Sequence, residues 1–269
     1  MSAPTQKKAR VSEGQPVVSE PEVFLYEGGE VEEELRRSVT HVRVGPQVKE
    51  IPPYASRSCD KLIELQLNEG LKFIGDRAFE GCTSLRSVTV PSTVTELGKW
   101  AFEDCSGLIE LQLKEGMRVI GVCAFAGCTS LQRMALPSTV TELCRGAFAL
   151  CNLTEVRLNE GLKTIGALAF RLCSALRSGS IPSSVSELGY GVFQGCSGLT
   201  YVELNDGLQT VGECAFQSTA LRRINLPSTV TELGPQAFVG CQNLIEIQFK
   251  EGPRAIGDLT FEGSTSCKA

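Results

Sequence analysis

The chain has 269 residues, with 26 basic and 31 acidic side chains and a formal net charge of −5. That mild acidic excess disfavours non-specific binding to nucleic acid, and no apolar run approaches the roughly 18 residues needed to span a membrane. Hydrophobic residues make up 42 % of the chain, and Phe supplies 12 aromatic residues against four Tyr and one Trp.

Residues 1–20 are mostly polar, with Pro4 and Pro16 inside them, and read as a flexible tail. The opening MSAPTQKKARVSEGQP lacks the apolar segment of a secretory signal, so an intracellular setting is expected. Lys7, Lys8 and Arg10 are a short basic cluster, weak as a nuclear-import signal; the cytoplasm is the expected compartment. Residues 21–37 read as an N-terminal cap. Within them, VFLYEGGEVEEELRR predicts a strand over Val23–Tyr26, a turn at Glu27–Gly29 and an acidic run, with a short helix over 30–37 as the alternative.

From Val39 the chain repeats. LIELQLNEGLKFIGDRAFEGCTS, Leu62 to Ser84, is followed by LRSVTVPSTVTELGKWAFEDCSG and then by LIELQLKEGMRVIGVCAFAGCTS. Ten units open at Val39, Leu62, Leu85, Leu108, Leu131, Leu153, Leu176, Leu199, Leu221 and Leu244. In each, apolar residues three and five places further on alternate as in a strand; Gly179 interrupts the pattern in unit seven and should weaken the core there. A turn follows, headed by Asn or Lys (Asn68, Lys114, Asn159, Asn205, Lys250) or by Pro (Pro91, Pro137, Pro182, Pro227). Gly70, Gly116, Gly161, Gly207 and Gly252 are expected at positive φ. A second apolar pair comes next, such as Leu71/Ile74 and Val94/Leu97, then a Gly (Cys144 once), then Ala-Phe.

Phe79, Phe102, Phe125, Phe148, Phe170, Phe193, Phe216, Phe238 and Phe261 predict one ring per layer in a continuous stack. Units five and eight are one residue short, at Cys151–Leu153 and Thr219–Leu221, and loop tips are expected to absorb the loss. A fixed period near 23 residues opening with Leu-x-x-Leu-x-Leu specifies a leucine-rich repeat solenoid over 38–263. Such a fold carries a parallel β-sheet on one face and short strands and turns on the other, with a short tail over 264–269.

The string L-x-x-[VLI]-x-[LIV]-P-S-[TS]-V-[TS]-E-[LI]-G-x-x-A-F-x-x-C-x-x-L resembles the leucine-rich repeats of bacterial surface antigens of the BspA and Treponema type, a group also expanded in diatoms. PSTVTELGKWAFEDCSGL, Pro91 to Leu108, fits every place from the Pro onward. VRVGPQVKEIPPYASRSC, Val42 to Cys59, is similar to the opening of diatom members. The resemblance implies a fold without shared catalytic residues, used in adhesion and protein binding. Without an export signal in this chain, adhesion is not carried over from the bacterial members.

Cysteine is frequent, at 12 residues, and Cys59, Cys82, Cys105, Cys128, Cys151, Cys173, Cys196 and Cys241 share one repeat column. A column of this kind reads as small buried hydrophobes with free thiols, in preference to disulfides or zinc. The sole histidine, His41, falls at an outward strand position and reads as a solvated surface residue, and GxGxxG is absent. Glu96, Glu142, Glu187 and Glu232 form a repeat column rather than a catalytic pair. No enzyme, metal site or cofactor is expected.

Function is expected on the strand face, where Arg177, Tyr201, Arg222 and Arg223 cluster at positions that hold Ile, Thr or Glu in other units. Arg and Tyr are common at binding centres. The reading is a scaffold for a protein partner; a self-associating architectural or adhesion protein is the alternative, and a carbohydrate-binding module or enzyme fits least. Neighbours on this face, Glu110–Arg133–Glu155 and Arg223–Glu246, are expected to pair. The last unit has no covering segment and carries Ser264 in the cysteine column, so the C-terminal end should fray or stack end to end with a second copy.

Overall fold

A computed structural model describes residues 22–250 and 252–264. The basic cluster at Lys7–Arg10 and Cys267 lie outside them. Each unit forms one turn of a solenoid, and like positions of successive units stack. The first sheet uses Val23–Tyr26 of the cap and then His41–Val44, Glu64–Gln66, Ser87–Val90, Glu110–Leu113, Glu155–Arg157, Ser178–Ile181, Tyr201–Leu204, Arg223–Leu226 and Glu246–Phe249. All of its pairings are parallel, and the register follows the repeat: Leu65 opposes Val88, and Val88 opposes Leu111. Period-two burial turns Val88, Val90, Val202 and Leu204 inward and leaves Thr89, Tyr201 and Glu203 outward.

The second apolar pair forms the opposite sheet, in strands of only two residues. These are Glu50–Ile51, Phe73–Ile74, Val119–Ile120, Glu142–Leu143, Thr164–Ile165, Glu187–Leu188, Thr210–Val211, Glu232–Leu233 and Ala255–Ile256. Leu97 bridges Ile74, and Glu96 bridges Val119, so this side is continuous from unit one to unit ten. Segments this short have no stability of their own; stacking in register supplies it.

The Ala-Phe segment has a third bonding pattern. Alternate amides bond within the turn, as Ala78 N–H does to Gly75 O at 3.2 Å. The others reach the next unit, as Arg77 N–H does to Lys99 O and Phe79 N–H to Ala101 O, both at 2.8 Å. This geometry needs positive φ two places before and two places after the Phe. Among the described residues thirteen that are not glycine adopt it, including Arg77, Trp100, Asp104, Leu168 and Leu172. None is β-branched, the type that tolerates this conformation least. The rings stack with centroids 5.2 Å apart at Phe79–Phe102 and 5.5 Å at Phe102–Phe125, and the run continues to Phe238–Phe261 at 5.8 Å.

The cysteine column lies directly behind this spine. Cys105 Sγ donates to Phe79 O at 3.2 Å and Cys196 Sγ to Phe170 O at 3.0 Å, and from Cys82 onward each thiol of the column is a satisfied donor. Burial pushes the Cys196 thiol up to about 12. The eleven described cysteines carry free thiols. Thr219 fills the column in unit eight, donating to Phe216 O, and Ser264 fills it in unit ten, donating to Phe238 O at 3.0 Å. The last unit thus retains the column bond even though it lacks the cysteine.

The cap is a shortened unit. Its strand pairs Phe24 with Val42 and Tyr26 with Val44, and Val31 N–H bonds Ala55 O at the level where later units place Phe. One helical turn, Glu33–Arg36, closes it, as the helical alternative had it.

Three expectations are corrected. Gly116 and Gly207 have φ of +117° and +125°, but Gly70, Gly161 and Gly252 are not at positive φ. Where Asn68 or Asn159 heads the turn, its side chain does the holding: Asn68 Oδ1 accepts from Gly70 N–H, and its Nδ2 donates to Gly45 O and Val48 O. Register resumes directly after each shortened turn, with Thr154 N–H on Gln132 O and Cys241 Sγ on Phe216 O, but the strand face does not stay continuous. The first sheet is interrupted at unit five, where Gln132–Leu136 form no strand, and again between Tyr201–Leu204 and Arg223–Leu226. Finally, His41 is sheltered, its side chain only 17 % exposed between Thr40 Oγ1 at 2.9 Å and Glu64 Oε2 at 3.8 Å.

Gly179 leaves usable space in the core. A Cβ built there meets nothing closer than Val156 O at 3.8 Å. Gly179→Ala should therefore raise stability by about 0.5–1 kcal/mol, because it lowers the entropy of the unfolded chain without strain. A higher urea midpoint at unchanged slope checks this.

Candidate protein-binding face

The outward side chains of the first sheet form columns set by the register. The second column runs Glu64, Ser87, Glu110 before the interruption and Glu155, Ser178, Tyr201 after it, with Arg223 against Glu246 in the last pair. Arg223 Nε lies 3.2 Å from Glu246 Oε2, the pair the column order predicts. The other predicted ladder does not form. Glu155 pairs with Arg157 of its own strand at 2.8 Å, and among the described residues neither Glu110 nor Arg133 makes an ion pair. The interruption lies between Glu110 and Arg133; on the other side Thr154 N–H still bonds Gln132 O at 3.0 Å, and there Glu155 turns to Arg157 instead.

The four predicted site residues are all exposed, Tyr201 at 56 %. The structure brings two of them together: Tyr201 and Arg223 line one cleft of about 670 Å³, floored by Val202, Leu204, Leu226 and Phe249. Arg177 and Arg222 lie on the neighbouring first column, separated by the layer of Thr200. Thr200 N–H bonds Arg177 O at 3.1 Å, while among the described residues Arg222 N–H makes no matching bond to Thr200. Neither guanidinium has an ion pair among the described residues, so both positive charges face outward uncompensated.

A larger cleft, of about 840 Å³, was not anticipated. It opens at unit five, between Ile109–Gln112 on one side and Gln132–Ala135 on the other. Two signals for it stood in the sequence: the short spacing at Cys151–Leu153 and Cys144 in a glycine column. The geometry needed to read them as a gap did not.

Other candidate features are structural. Glu96, Glu142, Glu187 and Glu232 are spaced along the second sheet by Val119, Thr164 and Thr210, which keeps like charges apart. Trp100 sits on the turn edge beneath the Arg77 guanidinium at 4.2 Å, and Arg77 also bonds Glu80 at 2.7 Å. That bond raises the Arg77 pKa, and burial raises that of Glu103 beside it. No described helix is long and apolar enough to cross a membrane.

Stacked parallel strands, a Phe spine and a broad polar strand face define a leucine-rich repeat solenoid. The chain belongs to the BspA-type leucine-rich repeat family, whose model matches residues 49–177 and 163–269. No curated protein matches the chain. Among solved structures, the pneumococcal vaccine antigen PcpA is similar at 18 % identity and a TM-score of 0.56, over 93 % of this chain and 73 % of that one. A leucine-rich repeat protein from Eubacterium ventriosum is similar at 17 % identity and 0.51, over 88 % and 86 %. One from T. pallidum shares 26 % identity over 76 % and 77 %, with a TM-score of 0.48.

Proposed function

We propose that the chain is a protein-binding scaffold that receives its partner on the strand face. The observation that carries this reading is the cleft shared by Tyr201 and Arg223, with the uncompensated charges of Arg177 and Arg222 beside it. An exposed ring next to guanidinium groups over an apolar floor provides an anchor and a charged rim. Solenoids offer extended faces of this kind to other proteins. Non-enzymatic scaffold action and an intracellular, cytoplasmic setting belong to the same reading, the latter on the free thiols of the cysteine column. The diatom-like likeness rests on Val42–Cys59 alone. Reversing charge with Arg222→Glu and Arg223→Glu should weaken a verified partner by about tenfold or more while thermal unfolding stays within a few degrees. An unchanged dissociation constant would move the site elsewhere.

A second reading, self-association or surface attachment, is favoured by the C-terminal end. There Ile256 is 54 % and Leu259 56 % exposed, and Phe249 and Phe261 are only half-buried. In a monomer, amides of 244–263 should exchange faster than those of central units; in an end-to-end assembly they should be protected. Light scattering at matched concentration assigns the state, and slow exchange in a strict monomer counts against an open end.

A further inference from the structure

The solenoid opens on one side only at unit five. Glu110–Leu113 pairs with Ser87–Val90 but with no strand on its other edge. The backbone bond that joins Ile63 to Arg86 and Arg86 to Ile109 has no counterpart between Ile109 and Gln132 among the described residues. On the opposite side the layers stay closed: Val119 pairs with Glu142, Ile120 with Leu143, and the Phe125 and Phe148 rings are 5.4 Å apart. The gap is therefore a wedge, with its apex at the Phe spine and its mouth on the strand face.

Two sequence departures coincide there. Unit five is one residue short before Leu153. Cys144 also stands in a column where a Cβ on the equivalent Gly121 would lie 2.2 Å from Leu97 O. The consequence reaches the core. Leu111 is only half-buried, whereas its column mates Leu65, Val88, Val156 and Val202 are at most 5 % exposed. The break between units eight and nine differs, because its inward residues Leu204 and Leu226 stay covered.

An edge strand with unpaired N–H and C=O groups above an apolar floor is a template for another backbone. Side chains of opposite sign flank it, since Glu110 and Arg133 are exposed and without ion pairs among the described residues. We propose that the unit-five wedge is a strand-addition site. An extended segment of a partner protein pairs with the free edge of Glu110–Leu113, places an apolar side chain on Leu111 and Met134, and sets a carboxylate against Arg133. The volume of about 840 Å³ holds such a side chain with its flanking backbone. This proposal rests on the reading of the strand face as the binding surface and adds a place and a mode to it.

The test selects binders from a displayed library of random linear peptides on the purified chain. Selected peptides should alternate apolar and polar residues and carry an acid. Met134→Trp, which fills the wedge, should weaken the best synthetic peptide by about tenfold or more, and so should N-methylation of its alternate amides, since pairing through main chain needs those N–H groups. Arg133→Glu, an exposed change that cannot empty the core, should weaken it as well. The pair Arg222→Glu and Arg223→Glu should leave it unchanged. Failure to select any peptide, or binding that survives Met134→Trp or N-methylation, overturns the proposal. Loss of binding only with Arg222→Glu and Arg223→Glu would sink the wedge and keep the strand-face reading. Binding indifferent to every one of these substitutions would remove both.

Discussion

Phe125→Ala should cost about 3–5 kcal/mol of stability. Phe125 is fully buried, with ring neighbours at 5.5 Å toward Phe102 and 5.4 Å toward Phe148. Removing the ring takes away its buried apolar surface and leaves a void between two flat faces. The layers cannot collapse to fill it, because the second sheet and the Ala-Phe backbone bonds hold their separation. Phe125 N–H bonds Ala147 O and Phe102 N–H bonds Ala124 O, so the backbone spacing is fixed independently of the ring. Solenoid stability is approximately a sum of unit and interface contributions, and this change weakens two interfaces at once. Phe261→Ala, at the half-buried end of the stack with one ring neighbour, should cost clearly less. Chemical denaturation of both variants checks the ordering. Equal losses would mean that the rings act individually and that the stack adds nothing.

The opposite error, adding volume where layers touch, should also be costly. Gly98→Ala should destabilise by about 1–3 kcal/mol. A Cβ there would come within 2.5 Å of Gly75 C and 2.6 Å of Asp76 N, both backbone atoms of the preceding unit. A side-chain neighbour could rotate away, but these cannot. The same holds at Gly75, Gly121 and Gly212, where the nearest backbone atom would be 2.5, 2.2 and 2.3 Å away. The column is thus glycine because adjacent layers make backbone contact, and positive φ plays no part in it. Gly179→Ala serves as the control, since the same methyl meets open space and should stabilise. A Gly98→Ala protein as stable as the parent in urea titration would show that the layers part more readily than their bonding implies.

The periodicity in the sequence is enough to determine the architecture. One ring, one cysteine or its hydroxyl substitute and about five inward apolar positions per 22 or 23 residues can all be buried only if the chain coils with that period. The exposed columns follow from the same register, so Tyr201, Arg222 and Arg223 were legible as outward residues, and so was the Arg223–Glu246 pair. The strand at Val23–Tyr26 was legible because its alternation matches the strands that follow.

What the tertiary structure decided is where the periodic pattern fails. A missing residue says that one turn is shorter but not which bond gives way. The second sheet and the Phe spine proved the stronger ties, so the strain appears on the strand face, as an absent strand in unit five and a lapse between units eight and nine. The same gap parts Arg133 from Glu110 and exposes Leu111, which column reading placed in a ladder and in the core. Turn conformation was likewise a tertiary outcome, since Gly70 and Gly116 share a sequence position yet differ in φ. The Asn68 side chain ties its turn to Gly45 and Val48 of the preceding unit, whereas Gly116 N–H bonds Thr139 Oγ1 of the next. Each of these depends on the layer above or below, and local sequence does not carry that contact.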